Sequence, residues 1–352
     1  MRRLPRIAVV TLGGTIASVA GDGGDGVLPT VTGDELVAGV PGLRDVADVE
    51  VTSLRQLPSG ELDTADLVAV AALVERRLRD GCAGAVVVQG TDAMEETAFA
   101  LDLLVRNPRP LVVTGAMRHP ATVGADGGAN LLAAVAVASA AAAHDAGCLV
   151  VMNDEIHAAR HVGKRHTQSP AAFASPAVGP IGWVSEGQPR IALRPLGRAA
   201  LELPRRLSEA PVALLAIGPA DEPALVDAVP SLGYRGLVVE TLGGGHVPAR
   251  IVRALAAVAR RLPVVFASRT GAGEVLRRTY GFAGSERDLI GAGAIPAGWL
   301  DAPKARVLLR LLLGADAPRD SIARAFARLA ELAEHPVELL EPAAGGNSTI
   351  VV

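Results

Sequence analysis

The sequence predicts two α/β domains: a larger N-terminal domain with a mostly parallel sheet, and a smaller C-terminal α/β domain. Three observations lead there. Short β-branched runs alternate with helix-length stretches rich in alanine and leucine, the pattern of parallel strands covered by helices on both faces. The chain has 352 residues, and single domains run to roughly 100–200 residues. Half of its residues are hydrophobic and 20% are charged, so there is apolar surface enough to offset the entropy of ordering.

The strand candidates IAVVTLGG, GAVVVQG, PLVVTGAM and CLVVMND begin near residues 7, 84, 110 and 148. Between them lie DTADLVAVAALVERRLRD, AMEETAFALDLLVRN and ADGGANLLAAVAVASAAAAHD. These carry helical apolar patterning and start near aspartate or threonine caps. The alternation weakens from Val162 to Ser185, where lysine, histidine, proline and glycine accumulate. Glu186 to Glu209 is polar and holds Pro189, Pro195 and Pro204. The expected organisation is therefore an N-terminal domain over 1–188, a linker over 189–210 and a C-terminal domain over 211–352. In the last of these, the strands VALLAIG, GLVVETLGGG and PVVFAS alternate with the helices PARIVRALAAVARR, PKARVLLRLLLG and DSIARAFARLAELAEH. The tail EPAAGGNSTIVV is expected to be loose.

Composition excludes several function classes. There are 34 basic and 37 acidic side chains, a net charge of -3, so no basic excess exists to hold a phosphate backbone. Aromatic residues are 3%, too few for base-stacking platforms. Cys82 and Cys148 sit in small apolar contexts and read as reduced core thiols. His157 and His161 are four apart with His166 following, but no zincin motif surrounds them, and Arg160, Lys164 and Arg165 crowd the segment with positive charge. No metal and no cofactor are expected. The basic tip of the chain is interrupted by Pro5 and Arg6, and Ile7 to Val10 is strand-sized rather than a signal-peptide core. The longest apolar stretch, Ala129 to Ala143, is short of the roughly 20 residues that span a bilayer. The expectation is a soluble, cytoplasmic protein without a membrane partner.

Three strands end in small polar punctuation: TLGGT, QGTD and TGAM. Ligands of open α/β sheets bind at the carboxyl ends of strands, so three segments are expected to converge on one crevice. Thr11-Leu12-Gly13-Gly14-Thr15 reads alone as a tight turn; glycines there also let a ligand approach the backbone. Neither a phosphate loop nor a dinucleotide fingerprint follows. In Gln89-Gly90-Thr91-Asp92, Thr91 or Asp92 is either a helix cap or a hydroxyl beside a carboxylate, able to position water and hold an ammonium group. Gly115-Ala116-Met117-Arg118 follows a third strand. Lys164 reads alone as a solvated loop lysine.

The set TLGGTIAS, QGTDAMEETA, GAMR with ADG shortly after, VVMND followed by Lys164, and PKARVLL, in this order, resembles the bacterial-type L-asparaginase family, over Ile7 to about Leu329. The resemblance implies hydrolysis of the side-chain amide of L-asparagine, with Thr15 as nucleophile and Thr91, Asp92 and Lys164 as a second catalytic group. It implies substrate contacts from Gly14, Ser59, Gly60, Gly90, Thr91, Asp92 and Ala116. Asp92 would hold the substrate amino group and Ser59 its carboxylate. A homo-oligomer, dimer or tetramer, is implied too. Chemistry agrees: a threonine hydroxyl is a poor nucleophile until a base or cation assists it, and amides near Gly14–Thr15 and Gly90–Thr91 could hold an oxyanion.

Two departures stand out. The family carries a tyrosine in the loop after the nucleophile, whereas Ser18 to Pro29 holds none; Gly26 falls near its position, and Asp22 and Asp25 precede it in the same loop. The only tyrosines are Tyr234 and Tyr280, and Tyr280 is the candidate substitute hydroxyl. His246, in Gly243-Gly244-Gly245-His246, stands where an asparagine is usual. Alternative readings are a glutaminase or mixed glutaminase–asparaginase, since the substrates differ by one methylene, and a non-catalytic amino-acid-binding protein. The amidase subunit of a tRNA-dependent amidotransferase, a further alternative, would be expected to carry an additional N-terminal domain.

Overall fold

A computed structural model describes residues 3–20, 27–29, 32–195, 199–201, 207–330 and 337–338. The chain divides into two units, Met1–Arg198 and Ala199–Val352. The strands of the first unit are β1 (Arg6–Thr11), β2 (Ser18–Ala20), β3 (Val27–Pro29), β4 (Asp48–Ser53), β5 (Gly84–Val88), β6 (Leu111–Thr114), β7 (Cys148–Met152), β8 (Glu155–Ala158), β9 (Gly163–Lys164), β10 (Phe173–Ala174), β11 (Gly182–Ser185) and β12 (Gln188–Ile191). Its helices are α1 (Gly33–Ala38), α2 (Leu43–Val46), α3 (Thr64–Arg79), α4 (Met94–Leu104) and α5 (Gly127–Ala138).

Eight strands form one sheet in the order β12-β11-β8-β7-β6-β5-β1-β4. The pairs from β7 through β4 are parallel, and β8, β11 and β12 extend the sheet antiparallel. β1, β5, β6 and β7 are buried along nearly their whole length, which is why they read as continuous apolar runs. Alternate residues feed two cores: Ile7, Val9, Val86 and Val112 on one face, Ala8, Val10, Val87 and Val113 on the other. α3 starts on a reciprocal cap between Asp63 and Asp66, each satisfying an orphan amide of the helix end.

Within the eight-stranded sheet, the sequence pattern missed β4, β8, β11 and β12. β4 (DVEVTS) is an edge strand, only half buried, so it shows no apolar run. β12 overlaps the start of the expected linker. Gln188–Ile191 pairs with β11 across the two-residue turn at Glu186 and Gly187, whose φ values are 51° and 69°. Its polar sequence, with Pro189, suits a sheet edge, so the first linker residues are sheet. Residues 196–198 and 202–206 of the linker, and the tail from 341, lie outside the described residues.

The second unit holds β13 (Ala199–Ala200), β14 (Val212–Ala216), β15 (Gly236–Thr241), β16 (Val264–Ser268), β17 (Ile295–Pro296) and β18 (Val337–Glu338), with α6 (Ala224–Ala228), α7 (Ala249–Ala259), α8 (Glu286–Gly291), α9 (Ala302–Gly314) and α10 (Arg319–Ala330). β14-β15-β16-β17 make a parallel sheet. No described helix is long and apolar enough to cross a membrane. Cys82 and Cys148 are both buried thiols, not joined in a disulfide.

One buried ion pair ties α4 to the sheet. Asp102 accepts a hydrogen bond of 2.7 Å from the Cys148 amide, and its other oxygen lies 3.4 Å from Arg160. Removing one partner strands a buried charge. Asp102→Ala is therefore expected to lower the unfolding free energy by about 3 kcal/mol, read from the urea midpoint at constant slope.

Candidate active site

β1 lies between β4 and β5, so successive connections leave it toward opposite sides. That is a topological switch point, where the carboxyl ends of strands open a crevice. Register places Thr11 opposite Val88 and Ser53, so the chain leaves all three strands at one level.

The turn after β1 is built on two glycines in the left-handed region, Gly13 at φ 103° and Gly14 at φ 90°. A Cβ on Gly14 would stand 2.1 Å from the Gly90 nitrogen, and one on Gly13 would stand 2.6 Å from the Leu57 nitrogen. These contacts seat the first turn against the segments after β5 and β4. Thr15 follows directly and opens a short 3-10 turn, Thr15–Ala17, with its side chain half-buried. Ile16 anchors that turn in the core, near where Gly127 meets Ala116.

Ser59 is 4% exposed. Its Oγ accepts 3.2 Å from the Ala93 amide and lies 3.1 Å from the position a Gly90 Cβ would take. Ser59 thus meets the Gly90–Ala93 turn. Gly60 is exposed with open space beside it, and no described contact draws it to the other residues.

Lys164, on β9, reaches back to the same turn. Its Nζ donates 2.9 Å to Thr91 Oγ1 and 2.6 Å to Asp92 Oδ1. Thr91 is buried and the Asp92 side chain is 85% exposed. Asp92 is therefore open to a ligand while one of its oxygens holds the lysine. The loop with Ala116 is clamped from α5. Asp126 accepts from the amides of Met117 (3.0 Å) and Arg118 (2.9 Å), and Asn130 Nδ2 donates to Gly115 O at 3.0 Å. Asn130 escaped the sequence reading, although its place one helical turn after Asp126, on the buried face of α5, is the available signal.

Gly14, Ser59, Gly90, Thr91, Asp92 and Lys164 are thus joined by direct contacts, with Thr15 adjoining in the chain. Asp22, Asp25 and Gly26 lie outside the described residues. Tyr280 and His246 belong to the second unit, where their rings meet edge-on at 5.0 Å. His246 Nε2 faces the buried Glu286 carboxylate at 3.3 Å. His157 is on β8 rather than a helix, so the spacing to His161 is not a helical one. Among the described residues, no group of three histidine, cysteine or acidic side chains could hold a metal.

The lysine count is informative. Lys164 and Lys304 are the only lysines among 34 basic residues. Arginine is always protonated, whereas lysine can release its proton. The scarcity of lysine is legible in the sequence, but the contact of Lys164 with the Thr91 hydroxyl is supplied by the fold.

Burial is the main cause that pushes the His157 imidazole below its ordinary value, and the nearby Glu155 opposes it. The unfolded chain then binds the proton more readily. The contribution of neutral His157 to stability is present in full above about pH 6.5 and is lost as pH falls through the folded value. Denaturant titrations across this range are expected to show that loss in the wild type and a smaller one in His157→Asn. Gly14→Ala forces a Cβ into the left-handed region and into Gly90. A cost of at least about 1 kcal/mol is expected from the backbone alone, read as a lower melting temperature.

Residues 6–196 match the family description "Asparaginase, N-terminal" and residues 211–326 match "Glutaminase/Asparaginase C-terminal domain". The chain is 37% identical over 335 residues to a probable L-asparaginase of Deinococcus radiodurans, covering 92% of this chain and 97% of that protein. It is 34% identical over 325 residues to L-asparaginase 2 of Escherichia coli, covering 88% and 89%. The crystal structure of a probable cytoplasmic L-asparaginase from Campylobacter jejuni superposes with a TM-score of 0.82 at 31% identity, over 92% of this chain and 99% of that one.

Proposed function

The chain belongs to the asparaginase family, and from that premise we propose that it hydrolyses the side-chain amide of L-asparagine to L-aspartate and ammonia, with Thr15 as the nucleophile. The observation that carries the assignment of roles is the Lys164 ammonium held between Thr91 Oγ1 and Asp92, on the turn that Gly14 abuts.

The residues divide the work as follows. Ser59 and Asp92 bind the two ends of the amino acid, its carboxylate and its ammonium. Gly14, Gly90 and Ala116 offer close backbone walls, and Gly60 borders Ser59. The Thr15 hydroxyl attacks the amide carbon, and the amides of Thr15 and Thr91 face the developing oxyanion. The carbon–nitrogen bond breaks, the Thr15 proton passes to the leaving nitrogen, and ammonia departs. Water then cleaves the aspartyl ester, regenerating the Thr15 hydroxyl. Lys164 acts through Thr91, polarising its hydroxyl as an ammonium and relaying a proton once deprotonated. In a second course, Thr91 and Lys164 direct water onto the amide without an ester.

All these residues fall within 1–188, the domain to which we assign catalysis. We assign the protein to the cytoplasm, following the resemblance and the cytoplasmic relative from C. jejuni. A homo-oligomer is part of the same reading.

Ammonia release from L-asparagine and L-glutamine, measured in parallel, tests it. Wild type is expected to turn over L-asparagine in preference, and Thr15→Ala to abolish release. Lys164→Ala is expected to lower kcat by roughly 10²–10⁴-fold, and Lys164→Arg not to restore it, because a guanidinium keeps its proton. A folded protein that binds L-aspartate but releases no ammonia from either amide would instead be an amino-acid-binding protein.

A further inference from the structure

Lys164 sits on a very small ribbon. β9 and β10 pair through two residue positions, Lys164 with Phe173 and Gly163 with Ala174. So short a ribbon cannot hold itself in place, yet the position of the Lys164 Nζ is set to hydrogen-bonding precision. Part of the anchoring is apolar: Val162, Ala172 and Phe173 are buried in the core on the α3–α4 face of the sheet. Two polar anchors add to it: Glu95 Oε1 of α4 accepts from the Lys164 amide at 3.4 Å, and a second comes from a group that the catalytic assignment does not use.

His157 is the third residue of β8 and lies opposite Val150 of β7, inside the large sheet. Alternation along the strand puts it on the same face as Ala159, the face whose core contains Ala172 and Phe173. Its ring is 1% exposed and both nitrogens are engaged. Nε2 lies 3.2 Å from Glu155 Oε2, and Nδ1 lies 3.0 Å from Ser175 Oγ. A carboxylate only accepts, so Nε2 carries the hydrogen, and Nδ1 accepts from the Ser175 hydroxyl. Ser175 is 4% exposed and directly follows β10.

This trio has the residue types of a hydrolytic triad, but a serine closed from solvent has no substrate to meet. Its partners point to mechanical use. We propose that His157, through Ser175, is a positioning residue that fixes the β9–β10 ribbon on the sheet and so sets Lys164 against Thr91. The chain of contacts runs from β8 to His157, to Ser175, to β10, across the ribbon to Lys164, and to Thr91 and Asp92. Backbone bonds from the amides of His161 (3.0 Å) and Val162 (3.2 Å) to Ala158 O fasten the near end, where the chain turns out of β8. The His157–Ser175 bond fastens the far end. Without it, the β10 side of the ribbon loses its polar tether, the long bond from the Lys164 amide to Glu95 is left to hold the β9 side, and the lysine shifts from its hydroxyl.

The inference rests on the proposed role of Lys164, and the presence of two lysines in the chain gives a test that does not depend on that role. Protein labelled with carbon-13 at the lysine ε-carbons yields two resonances, and the one lost in Lys164→Ala belongs to Lys164. Ser175→Ala removes a single oxygen, and His157→Asn keeps a polar atom where Nδ1 stands; His157→Leu keeps none. In Ser175→Ala and His157→Leu the Lys164 resonance is expected to shift or broaden while that of Lys304 stays, and kcat to fall roughly tenfold or more with little change in KM. His157→Asn is expected to recover most of the loss. In a Lys164→Ala background, Ser175→Ala is expected to add no further loss of kcat. An unmoved Lys164 resonance in Ser175→Ala overturns the proposal, as does equal disturbance of both lysines, which would mark general loosening. Full turnover in Lys164→Ala alone would overturn the catalytic reading instead, leaving the resonance to decide the position of the ribbon.

Discussion

The close approach of two backbones underlies the architecture of the site. β1 and β5 run side by side in parallel register, so the turns that leave them compete for one volume. The absence of a Cβ at Gly14, together with its φ of 90°, lets the first turn lie against the Gly90 backbone. That contact sets the backbone just before Thr15 against the backbone just before Thr91, from segments far apart in sequence. No side chain tolerates both the space and the dihedral, so the constraint is absolute in kind rather than a matter of packing preference.

Polar clamps then hold the turns in place. Ser59 takes the Ala93 amide, while Asp126 and Asn130 take up the backbone of the Gly115–Arg118 loop. Each satisfies backbone groups that the strand ends leave unpaired, which would otherwise carry a desolvation cost of about 1–3 kcal/mol. Lys164 closes the arrangement with a charge-assisted bond to Asp92. The choice of lysine in a chain that otherwise uses arginine almost throughout gives this position a chemistry that the arginines lack.

The second unit repeats the parallel-sheet logic on a smaller scale, with different features at its strand ends. The glycine turn after β15 leads to His246, which meets Tyr280 and Phe282 edge-on and faces the buried Glu286 carboxylate. Glu286 in turn accepts from the amides of Thr279 and Tyr280, each at 2.7 Å. Histidine and tyrosine therefore serve one ring cluster with a carboxylate beneath it, a self-consistent local structure.

The sequence by itself determined what short-range physics encodes. Buried parallel strands must be apolar throughout, so β1, β5, β6 and β7 were legible as runs. A 3.6-residue apolar pattern made α3, α4, α5, α7 and α9 legible too. α3 and α9 start on the aspartate caps Asp63 and Asp301, whereas α4, α5 and α7 start without a side-chain cap, so the expected caps of α4 and α5 are not formed. The glycine pair, the Thr91–Asp92 pair and the ordered motifs marked the residues of the candidate site. Tertiary structure alone decided what depends on distant pairing. Lys164 and Thr91 are 73 positions apart, and nothing local to either says they meet. β12 reads as linker because an exposed edge strand needs no apolar face, and its place comes from the hairpin with β11. In sequence His157 stands out only for its spacing to His161, and its bond to Ser175, which follows β10, comes from the fold. Local pattern specifies elements because its energies are local; the register of one element on another comes from the whole packed core.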